Sequence, residues 1–202
     1  MKTGKEPAPA CLYLHEPSGG RLRREDGPGL LRAALADYGG RGGTGLPARE
    51  AANVRAETGA FGKPRFAGLP QVGFSVSHSG RFWACLMAGR EIGLDIEDLS
   101  VRRHGDGKKY IALARRFFSA DERAYIEAGE DAGAVRALFF RVWTQKEAYV
   151  KYTGRGMGAG LDSFSVVSGV AGVRWGRISL AEDLENAYCC GGAIPPPEVV
   201  RI

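Results

Sequence analysis

No apolar run in this chain approaches the roughly 18 residues that a bilayer-crossing helix needs. Its first ten residues are polar and hold two prolines, so neither a membrane span nor a secretory leader is expected. Cysteine is scarce: Cys11, Cys85, Cys189 and Cys190 form no C-x-x-C, and the adjacent last two make a poor disulfide framework. They read as reduced thiols of a cytoplasmic protein with no membrane partner. No internal repeat is visible. The net charge of +5 is too small for a histone-like coat on nucleic acid and suits anionic ligands or an acidic partner. A basic nucleic-acid-binding module would use Arg102, Arg103, Lys108, Lys109, Arg115 and Arg116. It would lack the exposed aromatics of single-strand platforms, and it would leave an acidic strand unexplained, so no nucleic acid is expected.

The 202 residues, 44% of them hydrophobic, suffice for one large domain or two small ones. Cys11–Leu14 is a short apolar patch, followed by the basic residues Arg21, Arg23 and Arg24. Leu30–Tyr38 predicts a helix stopping at Gly39-Gly40. The G-x-G-x-x-G at Gly40, Gly42 and Gly45 follows that helix, not a strand, and is a helix-exit loop rather than a dinucleotide loop. Ala48–Thr58 suggests a second short helix. Val72–Ser77, Phe82–Ala88 and Ile92–Glu97 predict three strands of an antiparallel meander joined by hairpin-length connections. Leu99–Lys109 is a candidate linker, Tyr110–Phe118 a helix, and Ser119-Ala-Asp-Glu122 opens another with the pattern of a capping box. A long helix spans about Ala134 to Tyr152, a glycine-rich loop (Gly154, Gly156, Gly158, Gly160) follows, and Ser163–Ser168 and Val173–Leu180 suggest strands before a tail from Gly191.

Two of these segments carry candidate chemistry. Along Ile92-Gly-Leu-Asp-Ile-Glu97, alternation puts Gly93, Asp95 and Glu97 on one face. Carboxylates two apart on a strand have Cα atoms roughly 6.5–7 Å apart and can converge on one ion, and Gly93 leaves space for a ligand. Oxygen donors without histidine or cysteine favour Mg²⁺ or Mn²⁺ over Zn²⁺, and magnesium commonly takes further ligands from substrate phosphates. On the long helix, Lys146 falls within the apolar stripe, where an ammonium must be paired or must snorkel out. Trp143, Glu147 and Lys151 line that stripe's border, Glu147 and Lys151 in favourable (i, i+4) order. Each segment also has a plain reading, as a solvated acidic edge or a surface helix. His78 enters a turn, and Lys63 sits on a rigid turn before Pro64.

Together, Phe61-Gly-Lys-Pro64, Phe74-Ser-Val-Ser-His-Ser-Gly80, Ile92–Glu97, Phe117-Phe-Ser-Ala-Asp-Glu122, Trp143-Thr-Gln-Lys-Glu-Ala-Tyr-Val-Lys151 and Leu161–Val166 resemble the ordered signature of the Sfp-type 4′-phosphopantetheinyl transferases. The resemblance covers about residues 60 to 167. It implies an α+β fold of two similar halves related by a pseudo-twofold axis, each with a small antiparallel sheet and a long helix, here dividing at 1–98 and 99–202. It implies transfer of 4′-phosphopantetheine from coenzyme A to a serine of an acidic acyl or peptidyl carrier protein, with release of 3′,5′-ADP. By resemblance, Asp95, Glu97 and Glu147 hold Mg²⁺, Lys151 contacts the phosphates, and Lys63, Ser77 and His78 contact the coenzyme A nucleotide. Glu147, a metal-bound water or Glu122 would accept the serine proton. Larger members hold the coenzyme A 3′-phosphate with basic residues of a longer N-terminal half, for which Arg21, Arg23, Arg24 and Arg32 are the candidate substitutes here. A relative that keeps the fold but only binds a carrier is the alternative.

Overall fold

The structure is a computed structural model and describes residues 9–18, 22–23, 25–59, 62–101, 106–156, 160–193 and 195–202. The order among these residues is β1 (Cys11–His15), α1 (Asp26–Gly40), α2 (Ala48–Ala51), β2 (Ala56–Thr58), β3 (Pro64–Phe66), β4 (Gly73–Ser79), β5 (Phe82–Ala88), β6 (Ile92–Asp98), α3 (Gly107–Phe117), α4 (Ala120–Glu127), α5 (Ala132–Thr153), β7 (Val173–Gly176), β8 (Leu184–Gly191) and β9 (Glu198–Arg201). One sheet runs β4-β5-β1-β9, a second β6-β8-β7, and β2 and β3 form a separate ribbon. The fold is therefore mixed α+β. No helix among the described residues is long and apolar enough to cross a membrane.

Alternation along the strands builds the layers. On β1 and β5, Cys11, Tyr13, Trp83, Cys85 and Met87 pack with Leu35 and Tyr38 of α1. Their neighbours Leu12, Leu14, Phe82, Ala84 and Leu86 face the other way and meet Ile92, Leu94 and Ile96 of β6 and Tyr188 of β8. The back of the second sheet, Ala187 and Cys189, meets Ala148 of α5. The stack is α1, first sheet, second sheet, α5. The first half of α5 packs instead on α3 and α4, where Phe118 stacks on Phe139 at 5.4 Å between ring centroids. Asp131 caps α5 by accepting from Ala134 N at 2.7 Å. Gly154, in the left-handed region at φ 65°, ends it.

Several expected elements differ. β6 does not continue a meander: it leaves the β4–β5 hairpin and pairs antiparallel with β8. The expected helix 48–58 stops at Ala51, because residues 56–58 are drawn into pairing with β3. The expected tail contains β9, which pairs parallel with β1. Residues 163–168 form no strand, and β7 ends at Gly176. Strand sharing also crosses the 98/99 division, since β6 joins a sheet with β7 and β8, and β9 joins β1. Arg21, Arg24, Phe61, Arg102, Arg103 and Gly158 lie outside the described residues.

Candidate active site

β6 is an edge strand of the second sheet, so alternate N–H groups along it have no strand partner there. The first sheet supplies partners. Ser75, Ser77 and Ser79 alternate on the face of β4 turned to β6, and their hydroxyls accept from Leu94 N (2.9 Å), Ile96 N (3.3 Å) and Asp98 N (3.0 Å). The same hydroxyls donate onward. Ser77 Oγ gives its proton to Asp95 Oδ1 at 2.7 Å, and Ser79 Oγ gives its own to Glu97 Oε2 at 2.8 Å. Both carboxylates are thereby fixed by a neighbouring strand in addition to their own backbone.

The second half of α5 crosses this face at unusually close range. A Cβ on Gly93 would stand 1.9 Å from the carbonyl oxygen of Ala148, so glycine is required for the helix backbone to touch the strand. The space expected above Gly93 for a ligand is filled by that helix. The approach brings Lys151 Nζ to 2.7 Å from Asp95 Oδ1 and 3.0 Å from Ser77 Oγ. Lys151 thus pairs with Asp95, and Asp95, Ser77 and Lys151 are one cluster. Burial pushes the Asp95 carboxyl above its ordinary range against the pull of Lys151 and Ser77. Glu147, one helical turn earlier, is also raised, by burial first and then by the Asp95 charge.

Two oxygens here are buried with no hydrogen-bond partner among the described residues: Asp95 Oδ2 and Glu147 Oε1. A buried carboxylate oxygen with nothing to accept from is costly. Among the described residues no three His, Cys, Asp or Glu groups are gathered closely enough to hold a metal ion as they stand, with Lys151 lying against Asp95. The unpaired donors are nonetheless all carboxylate oxygens, the donor type that hard divalent cations take. The residues fit such an ion in chemistry.

The neighbouring lysine of α5 has a different environment. Lys146 and Glu122 have fully buried side chains and form an ion pair at 2.8 Å. The ammonium also donates to Leu161 O (2.6 Å) and Phe164 O (2.7 Å) and lies 4.0 Å from the Phe164 ring centroid. Glu122 accepts from Ser119 N (3.0 Å), closing the expected capping box, and from Val166 N (2.8 Å). Glu122 is therefore engaged on both oxygens in a packing cluster, and the structure does not bring it to Asp95. Those bonds help explain why residues 163–168 form no strand: Val166 N goes to Glu122 and Phe164 O to Lys146, while Val167 N and Ser168 N go to Ser165 Oγ.

Lys63 pairs with Glu91 and donates to Tyr152 O at 2.9 Å, lining a groove with Pro64, Val150, Lys151 and Gly154. His78 is exposed on the opposite face of β4 from Ser77, in a wide cleft with Arg23, Arg81 and Trp83. Arg32 lines an adjoining cleft. Of the basic face, Arg115 is paired with Glu127 at 2.8 Å. All four cysteines are free and buried. Sequence reasoning had not singled out Ser79, although the S-x-S-x-S alternation of β4, matched to the D-x-E of β6, is a signal that strands could be zipped by side chains.

Residues 91–191, half of the chain, match the 4′-phosphopantetheinyl transferase superfamily, and the protein belongs to it. Curated relatives agree. It is 36% identical over 106 residues to a 4′-phosphopantetheinyl transferase of Bacillus subtilis, covering 52% of this chain and 44% of that protein. It is 35% identical over 114 residues to the 4′-phosphopantetheinyl transferase Sfp of Bacillus subtilis strain 168 (56% and 47%). It is 37% identical over 109 residues to the 4′-phosphopantetheinyl transferase psf-1 of Bacillus pumilus (54% and 43%). The chain spans about half the length of the curated relatives it matches.

Proposed function

We propose that this protein transfers 4′-phosphopantetheine from coenzyme A to a serine of a carrier protein. The observation that carries this reading is the cluster of Asp95, Ser77 and Lys151 beside two buried carboxylate oxygens with no hydrogen-bond partner among the described residues; Asp95, Glu147 and Lys151 lie within the matched part of the chain. Asp95, Glu97 and Glu147 would hold Mg²⁺, with Mn²⁺ as the alternative, and the ion when bound supplies charge neutralisation on pyrophosphate oxygens. Lys151 adds its positive charge to the same oxygens once it turns from Asp95. Lys63 lines a groove beside Lys151 and Ser77 is buried next to that lysine, and both would contact the nucleotide, while His78 and Arg23 share the wider cleft. The carrier's serine oxygen bonds to the β-phosphorus, the bond to the bridging oxygen breaks, and 3′,5′-ADP leaves with the electron pair. Glu147 takes the serine proton. Glu122, committed to Lys146, Ser119 and Val166, has no part in that step.

We infer that the two sheets, one backed by α1 and the other by α5, belong to two similar halves related by a pseudo-twofold axis, with β6 and β9 exchanged across the 98/99 division. The excess of basic residues favours an acidic carrier, and a chain with four free buried thiols suits the cytoplasm. The test incubates the protein with coenzyme A, Mg²⁺ and a panel of apo-carriers. A mass gain of one phosphopantetheine, abolished by chelator, is expected. Carrier binding without any mass gain would make the protein a binding-only relative.

A further inference from the structure

The three serines of β4 perform one common task and one task that differs. Each accepts the N–H of an alternate residue along the edge of β6: Leu94 at 2.9 Å for Ser75, Ile96 at 3.3 Å for Ser77 and Asp98 at 3.0 Å for Ser79. Where each hydroxyl sends its own proton depends on the register. Ser75 faces the stretch of β6 that carries Gly93, which has no side chain, and donates weakly back to Leu94 O at 3.4 Å. Ser77 and Ser79 face carboxylates and donate to Asp95 at 2.7 Å and Glu97 at 2.8 Å. Ser77 is shared with Lys151, so it belongs to the cluster already described. Ser79 is buried and serves Glu97.

We propose that Ser79 is a positioning residue for the divalent-cation site, acting through Glu97. Its hydroxyl, itself oriented by Asp98 N, aims one Glu97 oxygen and restricts the rotamers of a flexible side chain. Outer partners of metal-binding carboxylates act in this way, and their loss weakens metal affinity by about 10–100-fold in general. The inference rests on the proposed reading of Asp95, Glu97 and Glu147 as cation ligands. Ser75 provides an internal control, because it has the same strand-sealing bond without a carboxylate partner.

The experiment measures Mn²⁺ binding by electron paramagnetic resonance and Mg²⁺ binding by calorimetry on the full chain. The variants are Ser79→Ala, Ser79→Thr, Ser75→Ala and Asp95→Asn, with a melting curve for each. Ser79→Ala and Ser75→Ala are expected to lose similar thermal stability. Only Ser79→Ala should bind the cation more weakly, by about 10-fold or more, and Ser79→Thr, which keeps the hydroxyl, should restore affinity. In transfer assays the Ser79→Ala defect should diminish at high Mg²⁺. Should Ser79→Ala not fold, Ser79→Cys, of similar size and a weaker donor, takes its place. Equal cation affinity in Ser79→Ala, Ser75→Ala and the unaltered protein, with Asp95→Asn binding none, overturns the role of Ser79 alone. An unaltered protein that binds no divalent cation, or one that binds it unchanged in Asp95→Asn, overturns the cation site and this inference with it.

Discussion

Helix α5 carries two lysines, five residues apart, that each meet a buried carboxylate, and the two pairs differ in completeness. Lys146 has Glu122, two carbonyl oxygens and an aromatic face, and Glu122 has two backbone N–H groups in addition. Lys151 has Asp95 and Ser77, while Asp95 Oδ2 and the adjacent Glu147 Oε1 have no hydrogen-bond partner among the described residues. Burying charge is tolerated when every donor and acceptor is used, and such a pair fixes structure without capacity for anything else. A pair left partly unmatched retains capacity to bind. Charge alone does not separate the two lysines; burial, with Lys146 fully buried and Lys151 29% exposed, and the count of satisfied hydrogen bonds do.

The sharpest way to break the comparison is at its saturated member. Lys146→Met keeps the stem but strands Glu122, and should cost roughly 3–5 kcal/mol in a denaturant melt, as for other broken buried pairs. Replacing both partners by apolar residues should recover part of that loss. At the unsaturated member the consequence should move from stability to turnover. Asp95→Ala removes a carboxylate whose burial is unfavourable, so melting should change little while transfer falls about 10³-fold, near 4 kcal/mol of barrier.

What could be read in advance follows the same division. β6 and α5 were legible because their periods are strong and their charges fall at telling positions, as was the capping box at Ser119. β8 was not, since Leu-Glu-Asn-Ala-Tyr-Cys-Cys-Gly holds no β-branched residue and owes its strand to pairing on both sides. β9 follows three prolines and depends on β1 at the far end of the chain: Ile202 O lies 2.6 Å from His15 Nδ1, 187 residues apart. The opposite case is 163–168, where good alternation suggests a strand but Val166 N is claimed by Glu122, Phe164 O by Lys146, and Val167 N and Ser168 N by Ser165 Oγ. The site's carboxylates were visible as a spacing; the serines that hold them belong to another sheet, and their S-x-S-x-S alternation signals a partner only when set beside the D-x-E of β6.

Two further substitutions sharpen the contrast. Glu147→Gln preserves shape and removes the charge beside Asp95, so melting should hardly move while turnover drops by at least about 10², or some 2.7 kcal/mol. Full activity in this variant would remove Glu147 from the chemistry. The smallest effect is expected at Glu91, whose side chain is 65% exposed in its ion pair with Lys63. Glu91→Gln should change stability by less than about 1 kcal/mol, and by freeing Lys63 it should slightly tighten coenzyme A binding measured by calorimetry.

Gly93 has a consequence for strand register. With Ala148 O where a Cβ would stand, and Tyr152 N only 2.7 Å from the same point, the notch admits no side chain. A slip of β6 by one residue would turn its apolar face outward, and a slip by two would drive Asp95 into the helix backbone. The glycine therefore works as an alignment key: it permits a single seating of strand under helix, the one in which Asp95 meets Lys151. In an engineered exchange of α5 or β6 between related proteins, the notch and the carbonyl that fills it would have to travel together.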